Sequence, residues 1–128
     1  MRALLDTHTF LWWNAGDPQL SDRVREIIAD GDNEIWLSAA SAWEIALKAG
    51  KGRLLLPEPP REYVLRRLTL HGFRALAVEA SHALAVYELP GLHFDPFDRL
   101  LVAQSRAEEL PLLSADPEIA RYDVDVVW

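Results

Sequence analysis

Cysteine is absent from the 128 residues, which excludes thiol nucleophiles, zinc–thiolate clusters, iron–sulfur ligation and a disulfide framework. Long hydrophobic runs are absent too. Unbroken apolar stretches such as Leu54 to Leu56 fall far short of the roughly 18 residues a bilayer span needs, and Asp6 interrupts the apolar residues after Met1, so neither a membrane span nor a signal segment is expected. Basic residues are in deficit: 13 Lys and Arg against 20 Asp and Glu give a formal charge of −7. A surface of that sign repels polyanions, which excludes non-specific coating of nucleic acid, and no direct DNA binding by this chain is expected. There is no internal repeat, linker or low-complexity tract.

What is present is globular composition, 50% hydrophobic and 26% charged. One domain over residues 1–128 is expected, burying roughly two-thirds of its unfolded surface. Along the chain, strands are read at Ala3 to Leu5, Glu34 to Leu37, Phe73 to Val78, Leu110 to Ser114 and Val124 to Val127. Helices are read around Phe10 to Trp13, from Ser21 to Ala29, from Ser38 or Ser41 to Gly50 or Gly52, and over Arg61 to Leu70, Ala80 to Leu89, Pro96 to Glu108 and Pro117 to Tyr122. The helix from Pro96 is too apolar for a surface position and is expected near the centre. Strands alternating with helices predict an α/β fold, a mostly parallel sheet covered on both faces.

In such sheets the carboxyl ends of the strands share one edge with the helix N-termini that follow them, and ligands bind there. Asp6, Glu44, Asp95, Asp98 and Asp116 are all expected at that edge. Each also has an ordinary structural role. Asp6, Asp95 and Asp116 are placed to cap helices, Ser41-Ala42-Trp43-Glu44 matches a capping box, and Asp98 suits a helix dipole. Jointly they ask for something more, because four or five carboxylates in one pocket repel each other unless a cation lies among them. No single Lys or Arg is placed to serve them all. Mg²⁺ or Mn²⁺ takes oxygen ligands from carboxylates, water and phosphate, and two such ions would add +4 to a chain of −7. Phosphodiester hydrolysis is the chemistry that suits such a site.

Four segments carry a resemblance: Leu4-Leu5-Asp6-Thr7-His8, Ser38-Ala39-Ala40-Ser41-Ala42-Trp43-Glu44-Ile45-Ala46, Asp95-Pro96-Phe97-Asp98-Arg99-Leu100-Leu101-Val102-Ala103-Gln104 and Leu112-Leu113-Ser114-Ala115-Asp116. In order and spacing they resemble the PIN-domain ribonucleases of the VapC toxin family, and the likeness covers the whole chain. The resemblance implies a PIN-like three-layer α/β/α sandwich with a mostly parallel five-stranded sheet. It also implies a Mg²⁺- or Mn²⁺-dependent endoribonuclease, a VapB-like antitoxin as partner, a homodimer and a prokaryotic cytoplasm. Carried over residue by residue, the family's acidic quartet falls on Asp6, Glu44, Asp98 and Asp116. Asp98 is the better match than Asp95, which is left as a helix cap or outer group, because the family's third acid directly precedes the apolar helix.

From that resemblance Asp6 and Asp98 are the principal metal ligands, Asp116 completes the site or holds a second ion through water, and Glu44 binds metal or orients the attacking water. Thr7 and Ser114 are expected to hydrogen-bond to the carboxylates. His8 and His93 are read as loop or packing residues. Lys48, Lys51 and Arg53, or Arg61, Arg66 and Arg67, either hold RNA phosphates beside the site or form a solvated helix face. Arg99 is placed to pair with an acid. Of Trp12 and Trp13, one is expected in the core and the other at an interface with the antitoxin.

Two rival enzyme classes fail on single residues. A haloacid-dehalogenase-like phosphatase needs a second Asp two residues after the first, where His8 stands, and a receiver domain needs a late Lys, whereas none follows Lys51. The remaining alternative is a PIN-like module that binds RNA or a protein without cutting.

Overall fold

One strand is buried on every side and the rest of the chain is arranged about it. In the computed structural model, which describes residues 1–128, β1 spans Arg2–Leu5, and Ala3, Leu4 and Leu5 expose no surface. It pairs in parallel with β2 (Glu34–Ser38) on one side and β4 (Leu112–Leu113) on the other, with β3 (Arg74–Leu76) beyond β2 and β5 (Val126–Val127) beyond β4. The five-stranded order is therefore β3-β2-β1-β4-β5, every pair parallel. A strand of this kind reads as an unbroken apolar run because both its faces are covered.

Alternation along the strands divides the core in two. Ala3, Leu5, Ile35, Leu37 and Leu113 face one hydrophobic cluster, while Leu4 and Leu112 face the other. The first is closed by α1 (Thr7–Ala15), α2 (Asp22–Ala29) and α4 (Pro60–His71), through Phe10, Val24, Ile28, Tyr63 and Val64. The second is closed by α6 (Pro96–Glu108), through Leu101, Val102 and Ala103, with Ile119 and Tyr122. The short α5 (Ala80–Ala85), continued by a 3₁₀ turn over Val86–Glu88, packs against α6. Helix α3 (Ala39–Gly50) serves both clusters, giving Ile45 to the first and Ala40 to the second. This is the three-layer α/β/α sandwich expected, with α6 central.

Local chemistry sets the ends of these elements. Ser21 caps α2 by accepting from the Val24 N–H at 3.1 Å, and Gly16 ends α1 at φ 64°, a left-handed conformation that costs glycine least. Pro60 lies within the first turn of α4, where its missing N–H has no intrahelical partner to lose. Several boundaries differ from those read in the sequence. Ser38, not Ser41, caps α3, its Oγ accepting from the Ala40 N–H at 3.0 Å. The capping box is thereby displaced: Ser41 falls inside the helix, and Glu44 a turn and a half from its start. The fourth strand shortens at its front because Pro111 has no N–H for the ladder, though its carbonyl still accepts from Leu4 at 2.9 Å. The segment read as a helix over Pro117 to Tyr122 is a single 3₁₀ turn, Ile119–Arg121.

Phe10 is the aromatic hub of the first cluster, fully buried and edge-on to Tyr63 with centroids 6.2 Å apart. Its truncation leaves a cavity that neighbours fixed to two helices and a sheet cannot collapse into. Phe10→Ala is expected to cost about 3–5 kcal/mol in urea unfolding with the denaturant slope unchanged. Leu65→Ala, on an exposed position of α4, is expected to stay within about 0.5 kcal/mol.

Candidate active site

Sheet order determines where the acids meet. The chain winds outward from β1 to β3, then returns to place β4 on the free side of β1, so the crossover direction reverses between β1 and β4. The carboxyl ends of these two strands bound the crevice such a reversal opens. Asp6 immediately follows β1, and Ser114, Ala115 and Asp116 follow β4.

Asp6 is 4% exposed and has both oxygens engaged. Oδ1 accepts from the Thr9 N–H at 2.8 Å, which makes Asp6 the N-cap of α1, and Oδ2 accepts from Ser114 Oγ at 2.5 Å. Burial raises its carboxyl above the ordinary value, while the bonds from Ser114 and Thr9 and the charge of His8 oppose that rise. Ser114 Oγ also accepts from the Asp116 N–H at 3.1 Å. One hydroxyl thus ties the acid after β1 to the backbone of the acid after β4. Asp116 in turn accepts from the Glu118 N–H through Oδ1 at 2.8 Å. Asp6, His8, Trp12, Ala115 and Asp116 line a hollow of about 200 Å³.

Glu44 and Asp98 enter from the helices. Glu44, 3% exposed, accepts a hydrogen bond through Oε2 from Lys48 one turn further along α3. Asp98 occupies the third position of α6, which Asp95 caps through Oδ1 from the N–H groups of Phe97 at 2.9 Å and Asp98 at 3.0 Å. The Asp98 carboxyl is pushed up to about 8, first by burial and then by the negative charges of Asp95, Asp116, Glu44 and Asp6. The other four acids therefore all act on Asp98. No three of them are gathered tightly enough to hold an ion on protein atoms alone, so any cation here needs water or substrate oxygens among its ligands.

Other residues stand differently from their reading in the sequence. Thr7 does not bond to a carboxylate: its Oγ1 donates to Ser41 Oγ at 2.9 Å, tying α1 to α3. Arg99 does not pair with an acid. Its guanidinium donates to the carbonyls of Pro90, Val86 and Leu89 and to the Tyr122 hydroxyl, so the nearest arginine leaves Asp98 uncompensated. Lys48 is engaged by Glu44, and Arg66 and Arg67 by Glu58, whereas Lys51, Arg53 and Arg61 enter no ion pair. His93 is more than a packing residue, with Nε2 at 3.3 Å from Asp98 Oδ2 and Nδ1 at 2.7 Å from the Tyr122 hydroxyl. Its place two residues before Asp95 was the one signal the sequence offered.

Comparison with known proteins adds independent findings. The family model described as PIN domain matches residues 3–125. The chain is similar to Ribonuclease VapC22 of Mycobacterium tuberculosis (strain ATCC 25618 / H37Rv), at 32% identity over 120 residues, 93% of this chain and 90% of that protein. It is also similar to Ribonuclease VapC16 of the same strain, at 44% identity over 61 residues, 48% of this chain and 43% of that protein. Among solved structures it resembles VapBC2 from Rickettsia felis bound to a DNA fragment from their promoter, with a TM-score of 0.73 at 17% identity, over 99% of this chain and 98% of that one. A toxin–antitoxin complex from Klebsiella pneumoniae gives 0.63 at 17%, over 98% and 96%. At these identities the structural likeness is one of fold.

A carboxyl raised in the folded state binds a proton that the unfolded chain has released, so between the unfolded and folded values stability falls as pH rises. For Asp98 that window runs from about 4 to about 8. The metal-free protein is expected to lose melting temperature steadily across it, and Asp98→Asn to flatten the slope. Differential scanning calorimetry in EDTA checks this, and equal slopes for the two proteins would mean that Asp98 is ionised throughout.

Proposed function

Because the chain belongs to the PIN-domain family, we propose that it is the ribonuclease toxin of a toxin–antitoxin pair, an endoribonuclease dependent on Mg²⁺ or Mn²⁺. The observation that carries this reading is the convergence of Asp6, Glu44, Asp98 and Asp116 on the β1/β4 edge, with Asp98 bearing the charge of the others and no arginine to balance it. The donors fit a hard divalent cation: oxygen only, in negative excess, and spaced for ligands shared with water and phosphate. When bound, such a cation supplies charge compensation for the phosphate and acidifies the water that attacks phosphorus.

Each residue has a role in that chemistry. Asp6 and Asp98 would hold the cation, and Asp116 would complete the set. Ser114 fixes Asp6 Oδ2, so the carboxylate is aimed before any ligand arrives. Glu44 has Oε2 occupied by Lys48, which leaves Oε1 to bind metal or accept a proton from the attacking water. Asp95 serves α6 as its cap, and the N-terminal end of that helix lowers the cost of the negative charge at Asp98. Lys51, Arg53 and Arg61, free of acidic partners, are available for the phosphates that flank the scissile bond.

The toxin reading also assigns the apolar surfaces. A groove of about 600 Å³ beside the site is walled by Leu11, Trp12, Ile45, Leu54 and Leu56, which suits the amphipathic segment of a VapB-like antitoxin. Trp12 lines it and stacks edge-on to Trp128 at 5.8 Å, whereas Trp13 packs on His71. A second surface suits a homodimer: Trp43 is 58% exposed, meets Phe97 edge-on with ring centroids 5.2 Å apart and lies one helical turn before exposed Leu47. No helix is long and apolar enough to cross a membrane, and a prokaryotic cytoplasm belongs to the same proposal.

Purified protein with Mn²⁺ or Mg²⁺ is expected to cut a mixed pool of transfer, ribosomal and messenger RNA at discrete sites. EDTA and Asp98→Asn should each abolish the cuts. If nothing is cut and Mn²⁺ fails to raise the melting temperature, the chain is a non-catalytic binding module.

The two surfaces separate by variant. Trp12→Ala is expected to weaken antitoxin binding by about 2 kcal/mol, on the order of thirtyfold in Kd, with the dimer intact. Trp43→Glu should yield monomers by sedimentation equilibrium while retaining antitoxin. An unaltered Kd or an unaltered mass would remove the corresponding surface from its role.

A further inference from the structure

A chain of polar contacts runs from the backbone of the loop before α6 to the carboxylate of Asp98. Arg99 Nη1 donates to the Pro90 carbonyl at 2.8 Å and to the Tyr122 hydroxyl at 2.9 Å. Nη2 of the same residue donates to the carbonyls of Val86 at 3.2 Å and Leu89 at 3.4 Å, which fixes the guanidinium. Tyr122 is 4% exposed, and its ring lies 5.4 Å from that of His93. His93 spans the gap, with Nδ1 at 2.7 Å from the Tyr122 hydroxyl and Nε2 at 3.3 Å from Asp98 Oδ2.

The donors point to one direction for these bonds. A guanidinium has no acceptor, so the Tyr122 oxygen receives a proton from Arg99. The phenol's own proton is buried and must find an acceptor, and His93 Nδ1 is the acceptor it meets. An imidazole that accepts at Nδ1 carries its proton at Nε2. That proton points at Asp98 Oδ2.

We propose that His93 is a positioning residue for Asp98, an imidazole that the Arg99–Tyr122 arm holds as the Nε2–H tautomer and that donates to Oδ2, leaving Oδ1 as the oxygen offered to the cation. This rests on the reading of Asp98 as a metal ligand. The device orients the carboxylate through one fixed donor. It also gives Arg99, Tyr122 and His93 a joint role that none has alone. Outer-shell donors of this kind are worth roughly 10- to 100-fold in metal affinity or activity.

The test has a readout that needs neither metal nor RNA. Imidazole ¹⁵N shifts of the full-length, metal-free protein at alkaline pH are expected to show His93 with Nδ1 unprotonated and Nε2 protonated. Tyr122→Phe, which keeps the ring and removes the hydroxyl, should shift that pattern toward a tautomer mixture. By calorimetry His93→Ala should weaken Mn²⁺ binding at least about tenfold, and His93→Gln, whose amide nitrogen substitutes for the Nε2 donor, should restore most of it. A protonated Nδ1 in the parent, or a Gln variant no better than Ala, overturns the positioning role. The Asp98→Asn variant distinguishes the two levels of the argument. If it binds Mn²⁺ as the parent does, the reading of Asp98 as a ligand falls and the role of His93 with it; if it loses Mn²⁺ while His93→Ala does not, only the role of His93 falls.

Discussion

A single hydroxyl joins the two halves of this molecule at the point where its acids gather. Ser114 donates to Asp6 and accepts from the backbone of Asp116, and so locks the carboxyl ends of β1 and β4 together across the reversal of the sheet. Those strands are the core of both hydrophobic clusters, so the position of the bond is enforced by packing on either face. An acid at that position cannot swing away to relieve repulsion. The burial and the crowding that raise Asp98 are thus consequences of topology and not of flexible surface side chains finding each other.

That crowding has a cost, and the fold spreads it. Asp6 and Asp95 cap helices, so part of the expense of burying them is offset by N–H groups that would otherwise lack partners. Glu44 has Lys48, and Asp116 accepts from the Glu118 N–H. Only Asp98 has no strong donor of its own, with a 3.3 Å contact from His93 as its sole side-chain partner. The charge deficit is therefore concentrated on one carboxylate instead of being shared equally, which is the arrangement in which a cation gains most by binding and releases a proton as it does so.

The capping reading and the functional reading of these acids are not rivals. A residue that ends a parallel strand and begins a helix is both an N-cap and a member of the ligand edge, because the same geometry creates both positions. This is why the order of strands, helices and acids was legible in the sequence: Asp6, Asp98 and Asp116 are fixed by where apolar runs stop, and apolar runs can be counted. Side-chain wiring was not legible. Whether Thr7 reaches a carboxylate or Ser41, and whether Arg99 turns toward Asp98 or toward carbonyls nine and more residues earlier, depends on rotamers chosen by neighbours from distant parts of the chain. The capping box at Ser41 misled for a related reason. It matched locally, but Ser38 ends β2, and the strand's register decides where the helix begins.

Lys48 connects the acidic edge to the rest of the surface. It pairs with Glu44 and at the same time lines the large apolar groove between α1 and α4, together with Arg53 and Arg67. Buried as it is, Glu44 feels that ammonium through little solvent, whereas the ammonium itself is partly open to whatever fills the groove. A chain lying there with an acidic group near Lys48 would draw the ammonium away from Glu44; one with a basic group would press it closer. The two effects have opposite signs at the one carboxylate with a lysine partner. A charged occupant of the groove would act on the site through this one side chain, with a sign set by its own charge.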